Sequence, residues 1–423
     1  MVKPGYKQTE IGVIPENWIV RRLSECTKRV GVGLATSVTQ YYREDGVPIF
    51  RNLNIKPGYL DDSDILYLDP DFANRQESKK IRTGDVLTVH TGYVGISCVV
   101  PAKYNNALTF TTLITTTDSN LLLPEFLSIY LNSSFGALEI ESLQAGGGRN
   151  NLNVNDFVNF RIPLPSIDEQ YKIVEYLKEI DRYLELTNQQ LAKKKAIKQG
   201  AMQELLTGKK RLLGFASEWQ TFIFGELFDF IPNNAFTRAQ MSDNGKVKNI
   251  HYGDILTKYG EYVDGNSNAI PYISREVDLS RFADRCYLQS GDIIIADTAE
   301  DEAVGKALEV VNVNCPILAG QHTLMCRPKI KFADKFLGYY LNAACYHDQL
   351  LPYIVGTKVS SVSKASVAQT KLVVPEYEEQ QAIAEILSNM DSEIEALEQK
   401  LAKYRQIKQG MMQQLLTGKI RLV

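Results

Sequence analysis

Residues Ile197-Lys198-Gln199-Gly200, followed by Leu205-Leu206-Thr207-Gly208-Lys209, recur as Ile407-Lys408-Gln409-Gly410 and Leu415-Leu416-Thr417-Gly418-Lys419. Outward from this stretch, 165–212 matches 375–422 without a gap, at a constant shift of 210. The pairs include Glu169/Glu379, Gln170/Gln380, Ile173/Ile383, Leu177/Leu387, Asp181/Asp391 and Leu191/Leu401. A repeat this long has to be read before any local element. It continues upstream more weakly. Tyr130-Leu131-Asn132 returns as Tyr340-Leu341-Asn342, Gly84-Asp85 as Gly291-Asp292, Pro48-Ile49-Phe50 as Pro271-Tyr272-Ile273, and Glu16-Asn17-Trp18 as Ser217-Glu218-Trp219. The order along the chain is globule, tail, globule, tail.

The tails read as helices. Ile383, Leu387, Met390, Ile394, Leu397, Leu401, Tyr404, Lys408, Met411 and Leu415 follow the alternating four-and-three spacing of a coiled-coil seam. The first tail carries the same seam as Ile173, Leu177, Ile180, Leu184, Thr187, Leu191, Lys194, Lys198, Ala201 and Leu205, with three polar interruptions. Ser166 and Glu169 have the spacing of a capping box. Gly208 and Gly418 sit where a left-handed residue stops a helix. Forty residues of helix measure roughly 60 Å. A solvated linker or a homodimer zipper would show the same seam. Its occurrence twice in one chain makes an intramolecular antiparallel pair more economical.

The globules alternate short β-branched runs with turns. Ile49-Phe50, 86–89, 96–100, 113–116, 293–295 and 307–311 are expected strands. An amphipathic helix near Pro124 to Leu131, and again near Lys335 to Leu341, precedes a glycine loop, at 146–151 and 356–358.

The chain has 423 residues, 44% apolar and 23% charged, with a net charge of −3. That is an ordinary globular composition and excludes binding to nucleic acid by bulk charge alone. Residues 1–164 hold 16 basic and 17 acidic groups, and residues 213–374 hold 15 and 18, so neither globule is basic. No apolar run is long enough to span a bilayer. No secretory signal is expected at Met1-Val2-Lys3-Pro4-Gly5-Tyr6. The six cysteines and four histidines are scattered, so neither a zinc knuckle nor a disulfide framework is expected, and unpaired thiols fit a cytoplasmic setting.

Catalytic motifs are missing. The sequence has no phosphate-cradling G-x-x-x-x-G-K-[ST], no dinucleotide-binding G-x-G-x-x-G after a strand, no G-x-S-x-G and no H-E-x-x-H. The Asn-Pro-Pro-Tyr of amino-methyltransferases is also absent. Acidic clusters at 61–64 and 300–302 read as solvated loops, with no metal site expected.

Side chains suited to base edges lie instead at predicted loops. Arg51 and Asn52 follow one predicted strand, and Ser274 and Arg275 follow its counterpart. Arg149, Asn150, Asn151 and Lys358 lie in the glycine loops, and Thr91, Tyr93, His251 and Tyr252 add hydrogen-bonding and stacking groups. Arginine and lysine match guanine O6/N7, and asparagine matches adenine N6/N7. Each is common on surfaces; recurrence in both halves is what singles them out.

The residues Tyr6-Lys7-Gln8-Thr9-Glu10-Ile11-Gly12-Val13-Ile14-Pro15-Glu16-Asn17-Trp18, the helix starts 162–170 and 373–380, and the helix ends 203–209 and 413–419 together resemble the specificity subunits of type I DNA restriction-modification systems. The likeness spans the chain, although the second globule lacks a full copy of the N-terminal motif. It implies an α+β fold: two tandem target-recognition domains, mostly β with short helices, at 1–164 and 213–374. Two long spacer helices, at 165–212 and 375–423, would form an antiparallel coiled coil with pseudo-two-fold symmetry. It implies a non-catalytic subunit of a DNA adenine methyltransferase and restriction endonuclease complex, reading a bipartite double-stranded target. The partners implied are two modification (methyltransferase) subunits, which use S-adenosylmethionine, and restriction subunits, which use ATP and Mg²⁺; no cofactor is implied in this chain itself. Two alternatives stay open: a specificity subunit of a type IIB-like enzyme, and a coiled-coil scaffold that never touches DNA.

Overall fold

The structure, a computed structural model, describes residues 2–144, 151–300, 303–356 and 359–422. By internal contacts the chain forms two compact units, 1–187 with 400–423, and 188–399. The sequence boundaries set helices apart from globules, whereas these units divide each long helix at its middle.

The first unit is built on a four-stranded antiparallel sheet in the order Ser97–Val99, Val86–Val89, Thr112–Thr117, Thr27–Val32. Val86-Leu87-Thr88-Val89 is buried throughout, as a central strand of β-branched and aliphatic residues should be. A second sheet runs Leu108–Thr109, Val47–Phe50, Leu66–Leu68, Tyr42–Arg43, with its first two strands parallel. The second unit repeats both. Its larger sheet runs Phe228–Ile231, Thr323–Pro328, Ile293–Ala296, Ala307–Val311, with Tyr262–Asp264 added at the edge. Its smaller sheet runs Met241–Ser242, Tyr272–Ile273, Lys248–Ile250, Ile317–Ala319, with the last pair parallel.

Several repeated residues owe their recurrence to packing. The Asn132 amide clamps Ser97, donating to its carbonyl at 2.8 Å and accepting from its N–H at 3.0 Å. Asn342 does the same to Ala307, at 2.7 and 3.0 Å. The helices that carry these clamps, Pro124–Leu131 and Phe336–Asn342, lie where the sequence places them. A further helix, Ser134–Gln144, separates the first from its glycine loop.

The long helices are Ile167–Leu205 and Tyr377–Leu415, of 39 residues each. The seam holds. Ile173, Leu177, Leu205, Ile383, Leu387, Leu401 and Leu415 are buried, and Leu184, Leu191 and Ile394 are half-buried. Of the polar interruptions, Thr187 is buried and donates to the Tyr183 carbonyl at 2.7 Å, one turn earlier. Lys194 is exposed and pairs with Glu393.

The pairing is antiparallel within each unit. In the first, Asp181 meets Lys408, and Glu169, nearer the start of its helix, meets Arg421, beyond the end of the other. In the second, Lys198 meets Asp391 at 2.6 Å and Arg211 meets Glu379 at 2.7 Å. Both helices end one turn before a left-handed glycine, Gly208 (φ +69°) or Gly418 (φ +66°).

The helix starts correct one expectation. Ser166 Oγ accepts from the Glu169 N–H at 3.3 Å, but Glu169 does not reach back to complete a capping box. Its buried carboxylate accepts instead from Trp18 Nε1 at 3.0 Å and, bidentately, from Arg421. Glu379 is held identically by Trp219 at 3.2 Å and by Arg211 at 2.8 and 2.7 Å. In both joints the guanidinium also lies over the indole, 5.7 and 5.8 Å from its centre. No helix among the described residues is long and apolar enough to cross a membrane.

Candidate nucleic-acid interface

In the first unit, Val47–Phe50 and Leu108–Thr109 run in parallel and therefore turn away at the same end. The first of these turns carries Arg51 and Asn52, the second Thr111. A third loop, His90-Thr91-Gly92-Tyr93, leaves the central strand Val86–Val89 beside them. Hydrogen bonds join the three: Asn52 Nδ2 donates to the Thr91 carbonyl at 3.2 Å, and Thr112 Oγ1 donates to Asn52 Oδ1 at 3.2 Å. Asn151 closes the edge by bridging to Thr91, and the next residue, Leu152, donates its N–H to the His90 carbonyl at 2.9 Å. Beyond Gly92 (φ +89°), Tyr93 stands 84% exposed. The sequence-derived residues Asn52, Thr91, Tyr93 and Asn151 are thus brought together.

Arg51 belongs to the same edge but is engaged. It donates to the Asp64 carboxylate at 2.7 Å and to the Asp64 carbonyl at 3.0 Å, which fixes the loop below.

The second unit has the same edge with other side chains. Lys248–Ile250 and Ile317–Ala319 are its parallel strands. Gly320 donates its N–H to the Ile250 carbonyl at 2.8 Å, as Phe110 does to Phe50 at 2.7 Å. The residues after the first strand are His251 and Tyr252. His251 is buried and caps the short helix Tyr252–Thr257, its Nδ1 accepting from the Gly253 N–H at 3.2 Å. Burial first, and then the Arg238 charge, hold its imidazole below the ordinary histidine value, which suits a neutral acceptor. Tyr252 stacks at a tilt on His251, 4.6 Å between centres, and meets the edge of His322 at 5.2 Å. His322 Nδ1 is 3.5 Å from Thr298 Oγ1, and Thr298 pairs with Ser361 as Thr91 pairs with Asn151. Arg238, more than half exposed, reaches Asp254 at 2.9 Å on the flank.

This topology overturns one sequence match. The counterpart of Val47–Phe50 is Lys248–Ile250, because each pairs in parallel with the strand before the matching turn. Tyr272–Ile273 is the counterpart of Leu66–Leu68. Ser274 and Arg275 therefore follow a different strand and do not match Arg51 and Asn52; His251 and Tyr252 do. Ser274 donates its N–H to the Gln240 carbonyl at 2.8 Å, and Arg275 is exposed. Arg149, Asn150 and Lys358 lie outside the described residues. Thr111, Thr298, His322 and Arg238 escape sequence reasoning. The turn that carries His322 is one residue longer than its counterpart, which breaks a fixed-shift comparison. Among the described residues, no group of three or more His, Cys, Asp or Glu could hold a metal ion.

A second feature is also duplicated. A cavity of about 440 Å³ in the first unit is lined by Asn132, Ser133, Phe135, Gln409, Met412 and Gln413. One of about 620 Å³ in the second is lined by the matching Asn342, Ala343, Cys345, Gln199, Met202 and Gln203.

The family described as type I restriction modification DNA specificity domain matches residues 15–196 and 216–406. The chain is 24% identical to the type I restriction enzyme MjaVIII specificity subunit of Methanocaldococcus jannaschii, covering 97% of this chain and 94% of that one. It is 26% identical to the putative MjaX specificity subunit of the same organism, over 99% and 97%. Its fold is similar to that of the solved type I restriction-modification S subunit from M. genitalium, with a TM-score of 0.55, 15% identity and coverage of 98% and 99%.

Proposed function

We propose that this chain, which belongs to the type I restriction modification DNA specificity family, reads the two halves of a split double-stranded target with its two units, one edge to each half. The observation that carries the reading is the duplicated three-loop edge, whose backbone recurs while the side chains at the matched positions Arg51/His251, Asn52/Tyr252, Thr111/His322 and Asn151/Ser361 change. A chain that read one sequence twice would keep the side chains. A scaffold would have no reason to keep the backbone and vary what it displays.

The chemistry suits major-groove readout. The Asn52 amide matches adenine N6/N7, the threonine hydroxyls can donate or accept, and Tyr93 offers an exposed face and a phenolic donor. Arg51 and His251 hold the loops that carry these groups. Arg149, Asn150, Lys358 and the exposed Arg275 are flanking contacts in this reading. With a net charge of −3, the chain neutralises few phosphates, so its partners supply most of the non-specific affinity. Tethering two weak readers raises effective concentration and turns modest half-site affinities into one specific bipartite affinity.

The long helices set the spacing between half-sites and carry two copies of a modification subunit; the two matching cavities support two copies of one partner. Those subunits bring S-adenosylmethionine and methylate adenine, which has to leave the duplex for the reaction. Restriction subunits bring ATP and Mg²⁺, and the assembly works in the cytoplasm. This chain contributes specificity and no reaction chemistry. The type I names of its relatives favour this assembly over a type IIB-like one.

The test is to insert one heptad at Thr187/Asn188 and one at Gln399/Lys400, adding about 10 Å to each helix. Binding selection with the assembled complex should return both half-sequences unchanged and a spacer longer by about three base pairs. An unchanged spacer removes the ruler from the proposal.

A further inference from the structure

Among the described residues, five that are not glycine have a left-handed backbone: Asn106, Thr111, Asn312, His322 and Lys335. Asparagine and histidine adopt this conformation more readily than most residues, but a β-branched residue there is a genuine outlier. Thr111 (φ +49°) and His322 (φ +57°) share a further property: they occupy the same turn in the two units. Each lies between the strand parallel to Val47–Phe50 or Lys248–Ile250 and the long strand that begins at Thr112 or Thr323. The register fixes the match, since Thr112 pairs with Val89 and Thr323 with Ala296, at the ends of the two central strands.

Glycine is the residue that adopts this backbone at no steric cost, and neither unit has one there. A left-handed backbone kept in both copies without glycine, strained at the threonine and carrying a different polar side chain in each, points to a display role rather than to folding. The surroundings agree. His322 touches the other two loops of its edge, through Tyr252 at 5.2 Å and Thr298 at 3.5 Å, and still leaves half its side chain exposed. The residue after Thr111 is tied to Asn52 of the neighbouring loop.

We infer that Thr111 and His322 are matched specificity-determining residues, each presented by its left-handed turn to a base edge in one half-site. The inference rests on the reading that each unit recognises one half-site. A threonine offers a hydroxyl and a methyl, and so suits a thymine edge. An imidazole N–H suits the acceptors N7 and O6 of guanine. The exchange of threonine for histidine at one position would then contribute to making the two half-sequences differ.

The test compares wild type, Thr111→Gly, His322→Gly and His322→Asn, each as the full chain with its modification partners. Each selects from a DNA library randomised in both half-sites. Glycine releases the strain at position 111, so Thr111→Gly should unfold at the wild-type temperature or above, while His322→Gly should stay folded with a small loss from its contacts to Tyr252 and Thr298. His322→Gly should lower discrimination roughly 5- to 150-fold at one or two adjacent base pairs of one half-site. The other half-site and the spacer should be unchanged. Thr111→Gly should do the same in the opposite half, and His322→Asn should shift the preferred base rather than erase it. If both glycine variants select the wild-type sequence, or weaken all sequences equally, this inference fails while the two-unit reading stands. If the wild-type complex selects no bipartite sequence, both fail.

Discussion

The reading edges and the helix joints follow opposite rules. At the edges the two units agree in backbone and differ in most of the side chains displayed, Asn52 against Tyr252, Thr111 against His322 and Asn151 against Ser361, with Thr91 and Thr298 in common. At the joints they agree in both, with Trp18, Glu169 and Arg421 in one unit and Trp219, Glu379 and Arg211 in the other. The physical difference is burial. A carboxylate 1% exposed has to keep all its donors, because a buried charge without partners is costly. A side chain facing solvent has no such obligation and is free to be chosen for a ligand.

The largest effects should come from the joints. Glu169→Ala and Glu379→Ala each leave an arginine and an indole N–H without their acceptor, and each should cost about 3 kcal/mol or more. Hydrogen exchange resolved by unit should show the loss in the first unit for Glu169 and in the second for Glu379, with similar sizes. A joint that loses less than about 1 kcal/mol breaks the contrast between joint and edge.

The next effect separates the units from each other. The second unit buries Glu309 where the first has Val99. Burial pushes this carboxyl up to about 7, although the N–H groups of Gly338 and Lys335 pull the other way. Because the folded value lies above the unfolded one, the unfolded chain ionises first as pH rises. The second unit should therefore lose on the order of 3 kcal/mol between about pH 4.5 and 7 and then level off. Urea unfolding at pH 5 and pH 8 checks the slope. Glu309→Gln should abolish it, and the first unit should not show it.

The smallest effect lies in the seam. Burial favours a lower value for the Lys198 ammonium, but Glu261 and Asp391 outweigh it and hold the group above its ordinary value. The same ammonium lies over the Tyr339 ring at 5.2 Å. Its counterpart Lys408 is more exposed and pairs with Asp181. Lys198→Met should cost about 1–3 kcal/mol, against less than about 1 kcal/mol for Lys408→Met, both read from unfolding midpoints. Equal costs would show that the second carboxylate and the ring contribute nothing.

The sequence reveals most where side chains repeat. The heptad seam, the helix limits and the paired Glu169 and Glu379 are legible because packing fixes identity as well as position. The central strands are legible because Val86-Leu87-Thr88-Val89 and Ile293-Ile294-Ile295 are buried on both faces. The site is harder. The shift between copies drifts from 200 at Phe50 and Ile250, through 207 at Thr91 and Thr298, to 211 at Thr112 and Thr323. Loop lengths set that drift, and nothing in the sequence records which two-residue strand pairs with which. A shared proline thus points away from the true partner of Phe50, and no residue pattern marks His322, because a left-handed φ is a property of the backbone.

The joint at Glu169 has a consequence for synthesis. Its arginine is Arg421, which also donates to Asn17, and Tyr6 donates to the Gly418 carbonyl. These partners leave the ribosome hundreds of residues after the side chains they bind. At about 5–20 residues per second, the N-terminal half waits roughly ten to fifty seconds with the Glu169 carboxylate and the Trp18 indole uncovered. The half that is translated first is therefore the half that is finished last, and a chain arrested before residue 421 leaves it open to chaperone or protease.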